Sequence, residues 1–214
     1  MKTTKTIYNF IVDKSTSMQD SEVQVITGFN MQLAKLKELA IQYQEQNYIA
    51  SVTYFDSVVQ EEISFGAIEA VQPLTMESYT PDGMTALLDA IGGAIDKTSD
   101  KFVKEFIEET VSVVFIILTD GEENNSTHYT YPLIAQKIEK LEKTGAWTFT
   151  FMGADFDPKV ISERLNIRNE NVHAFEKRSF AKNMSFVAES MGEFEKAKSK
   201  GETKSSFFKG IFKD

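Results

Sequence analysis

Nine residues near the middle of the chain, VSVVFIILT at 111–119, form an apolar run with almost no polar alternation. A strand with one face in water alternates apolar and polar residues, whereas a strand buried on both faces reads as a continuous apolar run. Strands of the second kind occur mainly in parallel sheets that helices cover on both sides. The run therefore predicts an open, Rossmann-like α/β fold with 111–119 as a central strand.

Strand and helix patterns alternate along the rest of the chain, as this fold requires. Segments 48–55 and 57–65 are separated by one residue. Because a parallel pairing needs a connection of roughly a dozen residues, we expect an antiparallel hairpin at one edge of a mostly parallel sheet. Gly92 and Gly93 are expected to allow a helix to pack closely against the sheet. The predicted strands are 6–12, 48–55, 57–65, 111–119, 146–152 and 171–175, and the predicted helices are 20–46, 85–109 with a break near 98–100, 132–143, 157–166 and 179–198.

The stretch IYNFIVDKSTS, residues 7–17, ends the first strand with an acidic residue followed by two alternating serines. In an extended backbone, side chains two residues apart point to the same side, so Asp13, Ser15 and Ser17 are predicted to converge. Their oxygens suit Mg²⁺, Mn²⁺ or Ca²⁺, whereas zinc and copper favour His and Cys, and the chain has no Cys and two His. Asp and Ser are also ordinary strand-end and turn residues, which is the alternative interpretation.

Two later segments place further oxygen donors at similar boundaries. In PDGMTALLDAI, Pro81 and Gly83 predict a turn that brings Thr85 near the end of the first strand, with a helix N-cap as the alternative role for Thr85. Asp120 follows the central strand at its carboxyl end, the edge of an open α/β sheet where ligands bind. Asp89 lies one helical turn after Thr85 and is either an acceptor behind the site or a solvated charge.

These segments, D-x-S-x-S, G-x-T-x-L and T-D-G, resemble the three motifs of the metal-ion-dependent adhesion site (MIDAS) of the von Willebrand factor type A family, over roughly residues 6–190. The resemblance implies that the hydroxyls bind the ion directly and that the two aspartates act chiefly through water. It also implies that a Glu or Asp of a protein partner completes the coordination, and that the domain binds proteins and is not an enzyme. The implied ion is Mg²⁺, with Mn²⁺ and Ca²⁺ as alternatives. The implied metal ligands are Asp13, Ser15, Ser17, Thr85 and Asp120.

Two other functional classes compete with this interpretation. An acidic residue after a parallel strand also begins the sites of Mg²⁺-dependent phosphotransferases and phosphohydrolases, but the sequence has no phosphate-binding loop, dinucleotide turn, nucleophile elbow or H-E-x-x-H helix. A Ser–His–Asp hydrolase would need His128 or His173 beside an activated serine, and neither has a recognisable setting. The third class is a structural domain with a vestigial metal site.

The size and charge of the chain limit its partners. Its 214 residues suit one domain, predicted at 1–198 and followed by a tail at 199–214. A net charge of −9 argues against nucleic acid as the main ligand. No apolar stretch approaches the roughly 20 residues of a membrane span, and we expect a cytoplasmic protein. Small, cysteine-free relatives of this kind resemble bacterial and phage proteins, such as those of tellurium-resistance and stress clusters.

The tail contains four apolar residues, Phe207, Phe208, Ile211 and Phe212. Through them the tail either contacts a partner or a membrane surface, or packs on its own domain.

Overall fold

A computed structural model of the protein describes residues 4–200 and 206–208. Within these residues a six-stranded sheet is flanked by helices on both faces. The strands are β1 (Thr4–Asp13), β2 (Gln46–Phe55), β3 (Val59–Ala67), β4 (Val111–Thr119), β5 (Trp147–Ala154) and β6 (Val172–Phe175). The helices are α1 (Glu22–Gln42), α2 (Leu87–Lys101), α3 (Val103–Ile107), α4 (Tyr131–Glu142), α5 (Lys159–Arg164) and α6 (Phe180–Ser199).

The strand order is β3-β2-β1-β4-β5-β6, and every neighbouring pair except β2–β3 is parallel. The antiparallel strand β3 lies at the edge, as the one-residue link predicts. This arrangement confirms the mostly parallel, Rossmann-like sheet. In the register between β1 and β4, Val12 pairs with Leu118, so the next residues, Asp13 and Thr119, lie side by side at the carboxyl edge.

Alternate residues of the central strands form two separate cores, one on each face of the sheet. Tyr8, Phe10 and Val12 pack with α1 and α6. Ile7 and Ile11 pack with α2, α4 and α5 on the other face. Because β4 is buried on both faces, its apolar residues contribute to both cores, which explains the continuous run in the sequence.

The helix bounds differ from the predictions most clearly at two places. Helix α1 ends at Gln42 and not at 46, because the amide of Gln46 donates to the carbonyl of Tyr43 in a tight turn and begins β2. The break in the predicted helix 85–109 falls at Phe102 and not at 98–100. Phe102 leaves the helical backbone with its side chain buried against Phe65, so burial of this ring sets the position of the break.

Part of the predicted tail packs on the domain. Phe207 and Phe208 are buried, and their rings lie beside those of Phe194 and Phe186 on α6. This corresponds to the second alternative for the tail, packing on its own domain, for these two residues; Ile211 and Phe212 lie outside the described residues. The boundary at 198 stays a prediction. None of the described helices combines the length and apolar character needed to cross a bilayer.

Candidate metal centre

The carboxylate of Asp13 is fixed by two donors at the edge of the sheet. The hydroxyl of Thr119 donates to Oδ2 at 2.5 Å, and the backbone amide of Ser15 donates to Oδ1 at 2.8 Å. Asp13 is fully buried. Burial raises the pKa of Asp13 to about 6, although the hydrogen bonds from Ser15 and Thr119 oppose this increase.

The hydroxyls of the two serines meet just after β1, where the backbone changes from extended to a turn. Strand β1 ends at Asp13, and residues 16–18 form one turn of 3₁₀ helix. The predicted convergence is therefore present, but the extended backbone that predicted it ends at Ser15, whose φ of −72° and ψ of 166° are still extended. The hydroxyl oxygens of Ser15 and Ser17 lie 3.0 Å apart, and Ser17 donates to Oδ1 of Asp120 at 2.6 Å.

Thr85 lies in the loop before α2, where the chain that follows β4 holds its backbone. The side-chain oxygen of Asn124 accepts from the amide of Thr85 at 2.8 Å, and the carbonyl of Thr85 accepts from the amides of Asn124 and Asn125. The alternative role as an N-cap is wrong, because Ala86 occupies that position and α2 begins at Leu87.

Gly121 shows that the hydroxyls of Thr85 and Ser17 face the same small space. A Cβ atom built on Gly121 would lie 3.5 Å from Oγ of Ser17 and 3.9 Å from Oγ1 of Thr85. Ser15 and Asp120 each form a hydrogen bond with Ser17, and Asp13 accepts one from the amide of Ser15. The structure therefore brings all five sequence-predicted residues together at the carboxyl edge of the sheet.

The loop that carries Thr85 packs against the turn after β2 and the end of β1. Gly83 has a φ of +79°, and a Cβ there would meet the hydroxyl of Ser57 at 2.6 Å, so the position requires glycine. The hydroxyl of the buried Tyr79 donates to the carbonyl of Asp13 at 2.5 Å. Sequence reasoning identified Gly83 but missed Tyr79, for which no local pattern gives a signal.

Two acidic residues expected near the site organise its loops. Both oxygens of Asp89 accept hydrogen bonds from residues 127–129, so Asp89 is not a solvated helix charge. Glu123 accepts from the amide of Leu88 at 2.9 Å and from the amide and hydroxyl of Ser126. These contacts attach the segment after β4 to the start of α2, and so to Thr85.

The donor set fits a hard divalent cation. Oxygens that occupy neighbouring positions around octahedral Mg²⁺, at about 2.0–2.1 Å from the ion, are about 2.8–3.0 Å apart. The 3.0 Å between the hydroxyls of Ser15 and Ser17 falls in this range. No group of three or more His, Asp or Glu side chains among the described residues could hold a metal ion. The candidate centre instead combines two carboxylates with three hydroxyls, which favours Mg²⁺-like ions over zinc or copper.

Comparison with solved structures finds similar folds in proteins of low sequence identity. Proximal thread matrix protein 1 from the mussel byssus, with a zinc-occupied MIDAS motif, is 18% identical with a TM-score of 0.55, and the match covers 87% of this chain and 45% of that one. A von Willebrand factor type A protein from Catenulispora acidiphila is 13% identical, with a TM-score of 0.55 and coverages of 86% and 42%. The pilus adhesin SpaC from Lactobacillus rhamnosus GG is 12% identical, with a TM-score of 0.62 and coverages of 89% and 30%.

The chain thus spans less than half the length of these structures. No curated protein matches it. The family model for the von Willebrand factor type A domain matches residues 9–189, which is most of the chain. The match begins within β1 and ends within α6, so it includes the whole candidate metal centre. The chain belongs to the von Willebrand factor type A domain family.

Proposed function

We propose that this domain is a metal-dependent protein-binding module whose ion is held by Asp13, Ser15, Ser17, Thr85 and Asp120. The observation that carries the proposal is the meeting of Ser17 with Asp120 at 2.6 Å and with Ser15 at 3.0 Å. Ser17 and Asp120 are 103 positions apart in the chain. The zinc-occupied MIDAS of the mussel protein supports a divalent ion. The hard oxygen donors favour Mg²⁺, with Mn²⁺ and Ca²⁺ as alternatives.

The chemistry of the donors favours an acidic partner. Three of the five ligands are neutral hydroxyls, which neutralise little of the charge of a divalent ion. When bound, the ion supplies positive charge at the exposed Ser17, where a Glu or Asp carboxylate from a protein partner can reach it. Fixed positions for Asp13 and Thr85 keep the donors in place before a partner arrives.

The surroundings of the histidines favour binding over hydrolysis. Nδ1 of His128 contacts both Thr127 Oγ1 at 3.0 Å and Asp89 Oδ2 at 3.1 Å. A catalytic triad uses the two ring nitrogens for different partners, so this arrangement does not transfer a proton from hydroxyl to imidazole to carboxylate. Nε2 of His173 lies 2.6 Å from Oδ1 of Asn183, on the side of the sheet covered by α6.

Replacing Ser17 with alanine tests the metal site with little risk to the fold, because Ser17 is exposed. We expect Ser17→Ala to weaken Mg²⁺ or Mn²⁺ binding by at least about tenfold, the usual minimum for loss of a supporting metal contact. Thr16→Ala, which removes an exposed hydroxyl from the same turn, should leave the affinity unchanged. Isothermal titration calorimetry measures both. Equal affinities for the two variants would remove Ser17 from the site.

Partner capture needs a separate experiment. The immobilised domain should retain a protein in Mg²⁺ and release it in EDTA, and Ser17→Ala should not retain it. Retention that survives both EDTA and the substitution would place partner binding elsewhere on the domain. A cytoplasmic location and a bacterial or phage stress-response role stay predictions.

A further inference from the structure

A lysine that follows the edge strand β6 contacts the candidate metal centre. The ammonium group of Lys177 forms an ion pair with Oδ2 of Asp120 and donates to the carbonyl of Ser17 at 2.8 Å. The side chain of Asp120 is 1% exposed and that of Lys177 is 27% exposed. Within the described residues, Oδ2 of Asp120 accepts no hydrogen bond of ordinary geometry, so the ammonium group is its charge partner.

The backbone around Lys177 is held in position by the neighbouring strand. Lys177 follows β6, and its amide donates to Oδ1 of Asp155 at 2.9 Å. The amide of Asp155, at the end of β5, donates in turn to the carbonyl of Phe175 at 2.9 Å. Asp155 has a φ of +61°, a left-handed conformation that aspartate tolerates better than most residues. The carboxylate of Asp155 thus positions Lys177, whereas Asp157 accepts from the amide of Lys159 at the start of α5.

Both oxygens of the Asp120 carboxylate are therefore engaged. Ser17 donates to Oδ1, and the charge of Lys177 neutralises Oδ2. A divalent ion at the hydroxyls would lie near this ammonium group, and two cations repel each other most strongly where water is excluded. The ion would also gain less free energy from its attraction to Asp120 while Lys177 neutralises this carboxylate.

We propose that Lys177 is an internal cation that competes with the divalent metal ion for Asp120, so that metal binding displaces the Lys177 side chain. This inference rests on the proposed metal site. An open depression beside Lys177, about 750 Å³ in volume and lined by Asp155, Phe156, Ala174, Phe175 and Glu176, has room for the displaced side chain and carboxylates to receive it. Metal binding would then change the charge and shape of the surface next to the centre.

Mn²⁺ titration of Lys177→Met and of a matched control tests the competition. Lys14→Met is the control, because Lys14 directly follows the site residue Asp13 in the chain, but its ammonium group lies 5.5 Å from the centre of the Tyr54 ring. If Lys177 leaves the site free only about a tenth of the time, the site binds Mn²⁺ about tenfold more weakly than a site without the lysine. We expect Lys177→Met to bind Mn²⁺ at least about tenfold more tightly than the parent, and Lys14→Met to differ from the parent by less than about threefold, because solvent and salt screen its charge.

Thermal unfolding in EDTA provides a second readout, because the substitution that is expected to strengthen Mn²⁺ binding should also lower the stability of the metal-free domain. Lys177→Met leaves the buried carboxylate of Asp120 without its cation and should lower the Tm, whereas Lys14→Met should not. The proposal is supported if Lys177→Met binds Mn²⁺ more tightly than the parent and has a lower Tm. It is also supported if Lys177→Met is the only one of the three proteins that binds Mn²⁺. Equal affinities of the parent and Lys177→Met would overturn it while leaving the metal site intact. Equal gains in both lysine variants would also overturn it, and no binding by any variant would overturn the metal site as well.

Discussion

The hydroxyl of Thr119 is a strong test of how the fold prepares the metal centre. Thr119 is fully buried, donates to the carboxylate of Asp13 at 2.5 Å and accepts from the amide of Gly121 at 3.1 Å. Valine has the same shape but no hydroxyl, so Thr119→Val removes both hydrogen bonds without opening a cavity. The T-D-G motif contains this residue, but its local sequence assigns it no role.

The cost of the substitution follows from the two lost bonds. A hydrogen bond to a charged acceptor contributes about 1.5–3 kcal/mol and a neutral one about 0.5–1.5 kcal/mol, so we expect Thr119→Val to reduce the free energy of unfolding by about 2–4.5 kcal/mol. For a domain of this size, each kcal/mol changes the Tm by about 2–4 °C, which gives a decrease of about 4–18 °C. Asp13 also loses a donor that orients it, and metal affinity should fall by about 10–100-fold, as for other partners of metal ligands.

Urea unfolding in EDTA at pH 7.5 measures the stability, and calorimetric titration with Mg²⁺ measures the affinity. Thr150→Val is the matched control, because Thr150 is also fully buried, on β5, and its hydroxyl donates to the neutral carbonyl of Phe115 at 2.9 Å. The control should lose only about 0.5–1.5 kcal/mol and keep its metal affinity. If Thr119→Val costs no more than Thr150→Val and binds Mg²⁺ equally well, Thr119 does not support Asp13.

Two further substitutions test the packing around the site and the tail by urea unfolding. A Cβ on Gly92 would lie 2.3 Å from the Tyr129 ring, so Gly92→Ala should destabilise the domain, whereas Gly93→Ala, with no atom within 4 Å, should stabilise it by about 1 kcal/mol. Changes of equal sign would contradict this difference. Phe207→Ala should cost about 3 kcal/mol, because the ring is 1% exposed and packs 5.6 Å from the Phe194 ring. An unchanged stability would mean that this part of the tail contributes nothing to the fold.

The sheet and the closeness of the five candidate site residues were predictable because each has a local signal. Burial on both faces removes polar alternation from β4, and the short link after β2 excludes a parallel partner for β3. Carboxyl ends of parallel strands meet at one edge, so an acidic residue at the end of β1 and another directly after β4 had to lie close together. The closeness of Thr85 was predicted from a turn, and the turn glycine, Gly83, is present with a positive φ.

The supporting contacts were not predictable because they join segments that are distant in the sequence. Lys177 is 160 positions from Ser17, and Asn124 is 39 positions from Thr85, whose amide donates to it. Side chains of this kind have no periodicity, so a lysine after a short edge strand looks like any solvated charge. Gly92 shows the same limit: its close contact is with Tyr129 in the loop after β4, and not with the sheet as the sequence suggests.

Protein contacts alone hold the site residues in place, and this bears on what controls metal affinity. Asp13 is fixed by Ser15 and Thr119, and Thr85 by Asn124, all through hydrogen bonds that need no ion. Small zinc domains, in contrast, fold only when the metal binds, so most of their binding energy is folding energy. Here little conformational order remains to be gained at Asp13 or Thr85. If the proposed metal site forms, the part of the centre that must change is the ion pair of Lys177 with Asp120, and we expect the strength of this ion pair to set how much of the intrinsic metal affinity the domain retains.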